Sequence, residues 1–453
     1  MNSIYTKIVS NVFFPLHEKL KKHTTVSVHK AMEKNQWLKP EDLADLQLER
    51  LKVLLISVGK NVPYYKSLFQ ELDFNPLDVQ SIDDLKRLPF LDKPLIKKHS
   101  DDLKSVKATS LSRFNTGGSS GEPLVFYISN ERVSHDVAAK WRATRWWDVD
   151  IGDKEIVVWG SPIELGAQDR VRLIRDKFLR TKLIPAFEMS EKNLDEFVDK
   201  IKRFMPKMLF GYPSSLSLIA QHAEKKGICL NSIGVKVAFV TSEKLYDNQR
   251  ETIERVFGCK VANGYGGRDA GFIAHECPLG KMHITSEDII VEIVASNGKT
   301  LPIGESGEIV ITHLATQDYP FIRYKTGDVG VLSRSFCKCG RGLPVLEEIQ
   351  GRSTDFVVAE NGTIMHGLSL IYIVRDIVGV ESFKVIQESL QEVSLQLVVN
   401  ADFDERICAD IVGEFKKRLG ANVKVSIKFM NEILPEKSGK YRYIVSKVSS
   451  GRM

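Results

Sequence analysis

The chain has 453 residues, with hydrophobic residues at 43%, aromatics at 9% and charged residues at 27%, the texture of an ordinary globular protein rather than a disordered, collagen-like or disulfide-scaffold one. That length exceeds a single compact core, so a large domain with a smaller companion is expected. The net charge of +6 comes from 64 basic against 58 acidic residues scattered without a long like-charge block, which excludes a clustered nucleic-acid surface and suits small anionic substrates.

In chain order, the first feature is a short apolar patch from Val9 to Leu16, without the long hydrophobic core and small-residue cleavage site of an export leader. Ile4 to Leu20 reads as a weakly amphipathic helix with basic neighbours, its apolar face expected to pack into the core. No apolar run approaches the length of a membrane span. The six cysteines, Cys229, Cys259, Cys277, Cys337, Cys339 and Cys408, are few for so long a chain, so a cytoplasmic protein without disulfides is expected.

From Glu41 to Leu103 the pattern is helical with Pro-marked turns at Val62-Pro63-Tyr64-Tyr65 and Leu88-Pro89-Phe90, a helical preamble within residues 1–105. Short apolar runs then alternate with charged helical stretches such as Ser190 to Phe204. The runs include Ile156-Val157-Val158-Trp159, Met208-Leu209-Phe210 and Val237-Ala238-Phe239-Val240, and the alternation predicts α/β layers. Between about 280 and 350 closely spaced strands at Asp288 to Val294, Gly307 to His313 and Val329 to Leu332 predict a β-rich subdomain. After Gly351-Arg352, strands near Phe383 to Ile386 and Val393 to Val399 with a helix from Asp404 to Leu419 predict a small α+β unit over 351–453.

Several segments carry chemistry. Thr116-Gly117-Gly118-Ser119-Ser120-Gly121, ahead of the strand-like Leu124-Val125-Phe126-Tyr127, combines glycines that let backbone approach a phosphate with hydroxyls and turn N–H groups that donate to it. On composition it serves equally as a hairpin turn, and it is neither a Walker loop nor a dinucleotide fingerprint. Cys277-x5-His283 and Cys337-Lys338-Cys339-Gly340 supply three thiols and an imidazole, a tetrahedral zinc set that, all ligands being protein groups, would be structural; the plain alternative is three reduced cysteines and a surface histidine. His275 is an alternative imidazole.

Taken together with Asn263-Gly264-Tyr265-Gly266-Gly267-Arg268-Asp269, Phe321-Ile322-Arg323-Tyr324-Lys325-Thr326-Gly327-Asp328 and Leu434-Pro435-Glu436-Lys437-Ser438-Gly439-Lys440, the order of motifs resembles the adenylate-forming superfamily of acyl-CoA synthetases. Within it the chain is similar to the phenylacetate-CoA ligase branch with its capsule-biosynthesis relatives, some of which carry a Cys/His cluster in the region noted above. The resemblance implies a large multi-layer N-terminal domain over 1–350 and a mobile C-terminal lid. It implies that the Thr116 to Gly121 loop cradles phosphate, that Tyr265 stacks near adenine beside the Gly266 backbone, and that Asp269 helps hold Mg²⁺ where relatives have Glu. Asp328 and Arg352 would contact the ribose, an acceptor-only carboxylate suiting its hydroxyls. Ser242 and Glu243, in Val240-Thr241-Ser242-Glu243-Lys244-Leu245, would border the adenine. Tyr212, in Phe210-Gly211-Tyr212-Pro213-Ser214-Ser215, lies where relatives build the acyl pocket and is read first as a packing residue. Lys440, with Lys437 as its neighbouring competitor, would bring an ammonium to the reacting phosphate. Where relatives often place an acidic or basic pivot after the hinge arginine, this chain has Thr354.

The activity implied is ATP-dependent conversion of a carboxylate to acyl-AMP and pyrophosphate, then acyl transfer to the thiol of CoA. Transfer to an amine or a sugar hydroxyl is the alternative, and a silent zinc-bearing binding protein the reading of another class. ATP, Mg²⁺, structural Zn²⁺ and CoA are the implied ligands, with no nucleic acid and no membrane segment. A homodimer, the commonest symmetric assembly, is left open.

Overall fold

The computed structural model describes residues 3–115, 124–159, 170–186, 189–243, 245–350, 356–375, 377–433 and 443–448. The chain opens with α1 (Ile4–Ile8), a π turn (Val9–Phe13) and α2 (Phe14–Leu20), capped at its start where Ser3 accepts from the Thr6 N–H. Only one side of this segment meets the body, through Thr6, Val9, Phe14 and Glu18. Ile4, Ile8, Val12, Leu16 and Leu20 face outward, so the expected core packing of the whole apolar face is corrected.

Next come α3 (Thr25–Asn35), α4 (Pro40–Asn61), α5 (Pro63–Glu71) and α6 (Lys93–Lys98). Proline at the first position starts α4 and α5, where a missing N–H costs nothing, and Asp92 caps α6 by accepting from the Leu95 N–H at 2.9 Å. This is the helical preamble. A hairpin of β1 (Leu111–Asn115) and β2 (Val125–Ser129) follows, in antiparallel register Asn115 to Val125, and Ser129 caps α7 (Asn130–Arg145).

The α/β alternation then runs β3 (Glu155–Trp159), α8 (Arg170–Leu179), β4 (Thr181–Pro185), α9 (Glu191–Phe204), β5 (Met208–Gly211), α10 (Pro213–Lys225), β6 (Val237–Thr241), α11 (Asp247–Phe257) and β7 (Lys260–Gly267). Buried Leu194, Phe197, Val198 and Ile201 follow the three-and-four spacing that lays α9 against the sheet. β4, β3, β5, β6 and β7 are parallel neighbours in that order.

Antiparallel strands continue from β7: β8 (Gly271–Glu276), β9 (Met282–Ile284), β10 (Ile289–Val294), β11 (Ser306–His313), β12 (Tyr324–Leu332) and β13 (Val345–Gln350). They form no sheet of their own. The order β10-β11-β12-β13-β9-β8-β7-β6-β5-β3-β4 makes one sheet of eleven strands, the β-rich stretch joined edge to edge with the parallel half. One core packs the preamble and β2 against the antiparallel half, and another packs α9, α10 and α11 on the parallel half.

The C-terminal small domain has a hairpin of β14 (Phe356–Val358) and β15 (Ile364–His366), then α12 (Leu368–Val374), β16 (Val380–Gln387), β17 (Glu392–Val399), α13 (Ile407–Leu419), β18 (Lys424–Phe429) and β19 (Ile444–Ser446). Its four-stranded sheet runs β18-β17-β16-β19 and encloses its own core around Val385, Leu395, Phe415 and Val423. The expected class, α/β with a smaller α+β companion, is what the chain builds. Among the described residues, no helix is long and apolar enough to cross a membrane.

Candidate active site

In a parallel sheet, ligands sit outside the carboxyl ends of the strands, where loops are free to vary and side chains converge. Tyr212 follows the last residue of β5, Ser242 and Glu243 follow the last of β6, and Tyr265 and Gly266 lie in the last turn of β7. The registers Gly211 to Val240 and Thr241 to Gly264 set these positions in one row. Ser242 is held at φ +73°, a left-handed conformation that a residue with a Cβ rarely adopts and that ends β6 sharply. Ser214, on the first turn of α10, donates from Oγ to Glu243 Oε2 and so fixes that carboxylate. Tyr212 is largely buried with its ring stacked on Trp159, centroids 4.4 Å apart and planes 18° off parallel, so it packs as expected while walling this edge.

Asp328 reaches the same edge from the antiparallel half. β11 advances two residues between Val310 and Glu308 while β12 advances four between Lys325 and Val329, so Thr326, Gly327 and Asp328 bulge from the ladder. Thr326 Oγ1 secures the bulge by donating to the Ile309 carbonyl at 2.8 Å and accepting from the Asp328 N–H at 3.1 Å. Gly327, at φ +79°, takes the turn.

Two tyrosines then cross-link the motifs. Tyr265 donates from its hydroxyl to Asp328 Oδ2 at 3.0 Å, and Tyr324 donates to Asp269 Oδ2 at 2.6 Å. Each tyrosine stands four residues before the aspartate that the other one meets, so two Tyr-x3-Asp segments clasp reciprocally. Three strands separate β7 from β12 in the sheet, about 19 Å at the usual spacing if flat. The clasp therefore requires the sheet to curl around the site. Burial, reinforced by the Asp328 charge, holds the Tyr265 phenol well above its ordinary range, so it is a neutral donor at all ordinary pH.

Asp269 sits in the turn between β7 and β8, where its Oδ1 accepts from the Ala270 N–H at 3.1 Å. Buried Arg132 supports that turn, donating from Nη2 to the Asp269 carbonyl at 3.3 Å and from Nε to Asp136 at 2.9 Å. A side chain at Gly266 would strike the Gly271 carbonyl oxygen at 2.1 Å, which is why the turn approaches only a glycine. A carboxylate has four lone-pair directions, so Asp269, with one donor on each oxygen, retains acceptor capacity for a hard cation.

The second group lies at the seam between β8, β9 and β13. Cys277 follows β8, His283 is central in β9, and Cys337 and Cys339 come from the turn leading to β13; their ligand atoms all lie within 4.8 Å of one another. Cys277 Sγ and Cys337 Sγ are 3.7 Å apart. A tetrahedron with zinc–sulfur bonds of about 2.3 Å has its sulfurs about 3.8 Å apart, so the donor set fits zinc. His283 Nδ1–H donates to the Leu343 carbonyl at 3.1 Å, which turns Nε2 toward Cys339 Sγ, 3.2 Å away. Burial holds His283 neutral, its pKa lowered to about 4, the state a ligand needs. His275 stands outside the cluster, its ring stacked on Phe272, so the alternative imidazole is set aside.

Thr116, Gly117, Gly118, Ser119, Ser120 and Gly121, together with Arg352, Thr354, Lys437 and Lys440, lie outside the described residues. Reading the sequence missed the partners Ser214, Arg132 and Tyr324. The repeated Tyr-x3-Asp spacing was the available signal for the last.

The chain is similar to known proteins over most of its length. Residues 357–447 match the family model described as the CapK C-terminal domain. Protein CapK of Staphylococcus aureus is 25% identical over 419 residues, covering 90% of each chain. Phenylacetate-coenzyme A ligase of Thermus thermophilus is 24% identical over 441 residues, covering 89% of this chain and 96% of that one. Among solved structures, 2-hydroxyisobutyryl-CoA ligase in complex with 2-HIB-AMP and CoA superposes with a TM-score of 0.65 over 90% of this chain and 91% of that one, at 20% identity, a likeness of fold. The fold is that of the adenylate-forming enzymes. In sequence, the chain is similar over most of its length to the phenylacetate-CoA ligase-like branch and its CapK relative.

Proposed function

We propose that the protein is an AMP-forming acid ligase that activates a carboxylate with Mg·ATP and passes the acyl group to the thiol of CoA. The observation that carries this reading is the clasp at the carboxyl edge, where two carboxylates, each already oriented by a phenol, stand beside the loop that ends β6. Such preorganised acceptors and charges are what nucleotide positioning needs, because no reorganisation remains at the moment of reaction. Asp328 accepts from the ribose hydroxyls, Ser242 and Glu243 border the adenine near Tyr265, and Tyr212 walls the acyl side. Asp269 holds Mg²⁺, which neutralises phosphate charge when bound.

In the first step a carboxylate oxygen attacks the α-phosphorus in line, a phosphorus–oxygen bond forms, and the bond to the bridging oxygen breaks to release pyrophosphate. The Thr116 to Gly121 loop cradles the departing phosphates, and the Lys440 ammonium offsets the charge that develops. In the second step the thiol loses its proton to solvent, sulfur attacks the acyl carbonyl, and AMP leaves with the electron pair of the broken bond. Residues 1–350 form the large domain, and 351–453 the lid whose movement around Arg352 separates the two steps. Cys277, His283, Cys337 and Cys339 hold a structural zinc.

A second acceptor class is an amine or a sugar hydroxyl. The deciding experiment is carboxylate-dependent pyrophosphate release over a broad acid panel, with and without CoA. Release accelerated by CoA with thioester product is expected. Release indifferent to CoA favours the second acceptor class, and no release with any acid overturns the ligase reading.

A further inference from the structure

The outward face of the N-terminal segment has no role in the chemistry above. Ile4, Ile8, Val12, Leu16 and Leu20 are 80%, 43%, 56%, 55% and 77% exposed, with Phe13 and Phe178 beside them, their rings 5.7 Å apart. Such a contiguous apolar surface marks an interaction site, because scattered single exposures need no partner and aligned ones do. The alignment is built in. In an unbroken α-helix each four-residue step drifts about 40°, so four steps would carry Leu20 most of the way to the opposite side from Ile4. The π turn Val9–Phe13 takes more than four residues per turn, so steps crossing it drift back and the row stays on one face.

The opposite side is pinned. Thr6 Oγ1 donates to Asp153 Oδ1 at 2.7 Å, Tyr5 donates to the Phe178 carbonyl at 2.9 Å, and Arg180 Nη2 donates to Thr6 Oγ1 at 3.0 Å. The apolar row is therefore presented by a fixed helix. Its rim is cationic, with exposed Lys7, Lys19, Lys21, Lys22 and Lys177. The single acid between Ser3 and Lys22 is Glu18, which is buried and engaged by His17, His23 and Thr25, and Asp176 is paired with Arg175.

From this we infer that the face of α1 and α2 docks on an anionic bilayer surface, its apolar row in the interface and its lysines among the acidic headgroups. Interfacial helices have this division of apolar face and basic flank. A two-fold pairing of the face with a second copy would set lysine rows against each other, so charge favours the lipid. The inference stands independently of the ligase reading.

The test is co-sedimentation of the full chain with vesicles of phosphatidylglycerol mixed with phosphatidylcholine, against phosphatidylcholine alone. Binding to the anionic vesicles is expected, falling at least about tenfold for the double variant Val12→Glu with Leu16→Glu, and also in about 0.5 M salt. These side chains are exposed, so an unchanged melting temperature should accompany the loss. The pair Lys19→Glu with Lys22→Glu tests the charged rim through positions that no core contact uses. Equal binding to both vesicle types, no binding to either, or a dimer in solution that the Val12 and Leu16 variants split into monomers would each overturn the inference.

Discussion

Tyr265 and Tyr324 each spend a hydroxyl on the aspartate of the other's segment, so neither aspartate depends on its own strand alone for orientation. A hydrogen bond to an ionised group contributes about 1.5 to 3 kcal/mol. Asp328→Ala should therefore lower ATP affinity by at least about tenfold, read by calorimetric titration, while thermal unfolding shifts little because the residue lies on a bulge. Tyr265→Phe should cost less, because it leaves the carboxylate present and removes only its orienting donor. A loss for Tyr265→Phe equal to that for Asp328→Ala would show that the phenol itself carries the nucleotide contact. Asp328 was legible from the sequence because its motif is continuous. Its partner was not, because Tyr265 and Asp328 meet only through curvature of a sheet whose strand order no local pattern records.

At the scale of elements, the preamble is fastened to the start of β12. The Leu91 N–H donates to the Arg323 carbonyl at 3.0 Å and the Lys325 N–H to the Leu91 carbonyl at 2.9 Å, a short parallel bridge between the Leu88-Pro89-Phe90-Leu91 segment and the strand that carries Asp328. Arg323, almost fully buried at φ +51°, locks it. Its guanidinium makes two bonds to Glu292, at 3.0 and 2.9 Å, and one to the Leu88 carbonyl at 2.7 Å. Arg323→Ala leaves Glu292 charged and buried, a loss of about 3 to 5 kcal/mol measurable by denaturant unfolding. Arg323→Lys should restore only part, since an ammonium cannot span both carboxylate oxygens and the carbonyl. The alternation of apolar runs with charged helical stretches made β3 through α11 readable from the sequence, since period and length there agree with the elements formed. The outward row on α1 and α2 was not readable: an amphipathic pattern tells that a face is apolar without telling which side meets the body. The π turn that keeps the row straight leaves no mark on composition either.

For the whole molecule, acid weakens the fold through histidines kept neutral inside it. Burial, with Arg145 and Arg142 nearby, lowers His29 to about 4, and burial with Arg132 beside it lowers His313 to about 4. The unfolded forms titrate near 6.5, so between about 6.5 and 4 the unfolded chain binds protons that the folded one refuses, and stability falls as pH falls. The loss should be about 2 kcal/mol for each at pH 5, seen as a lower melting temperature than at pH 7.5. Asp288 adds in the same direction at still lower pH. It stays ionised despite burial because His135 and Arg50 hold its carboxyl far below the ordinary range, stabilisation that is lost once it protonates. Among the described residues, the great sheet is narrowest where β9 meets β13 through two residue pairs, His283 with Val345 and Met282 with Leu346. The proposed zinc ligands straddle that joint, and the tyrosine clasp between β7 and β12 spans it as well. Two ligands that brace one joint share a thermodynamic cycle, so whatever factor zinc adds to nucleotide affinity, nucleotide must return to zinc affinity. Competition against a chromophoric chelator, with and without ATP, should show zinc held about fivefold or more tighter in the presence of nucleotide. Identical zinc affinities would mean that the two halves of the sheet bend independently of what each one binds.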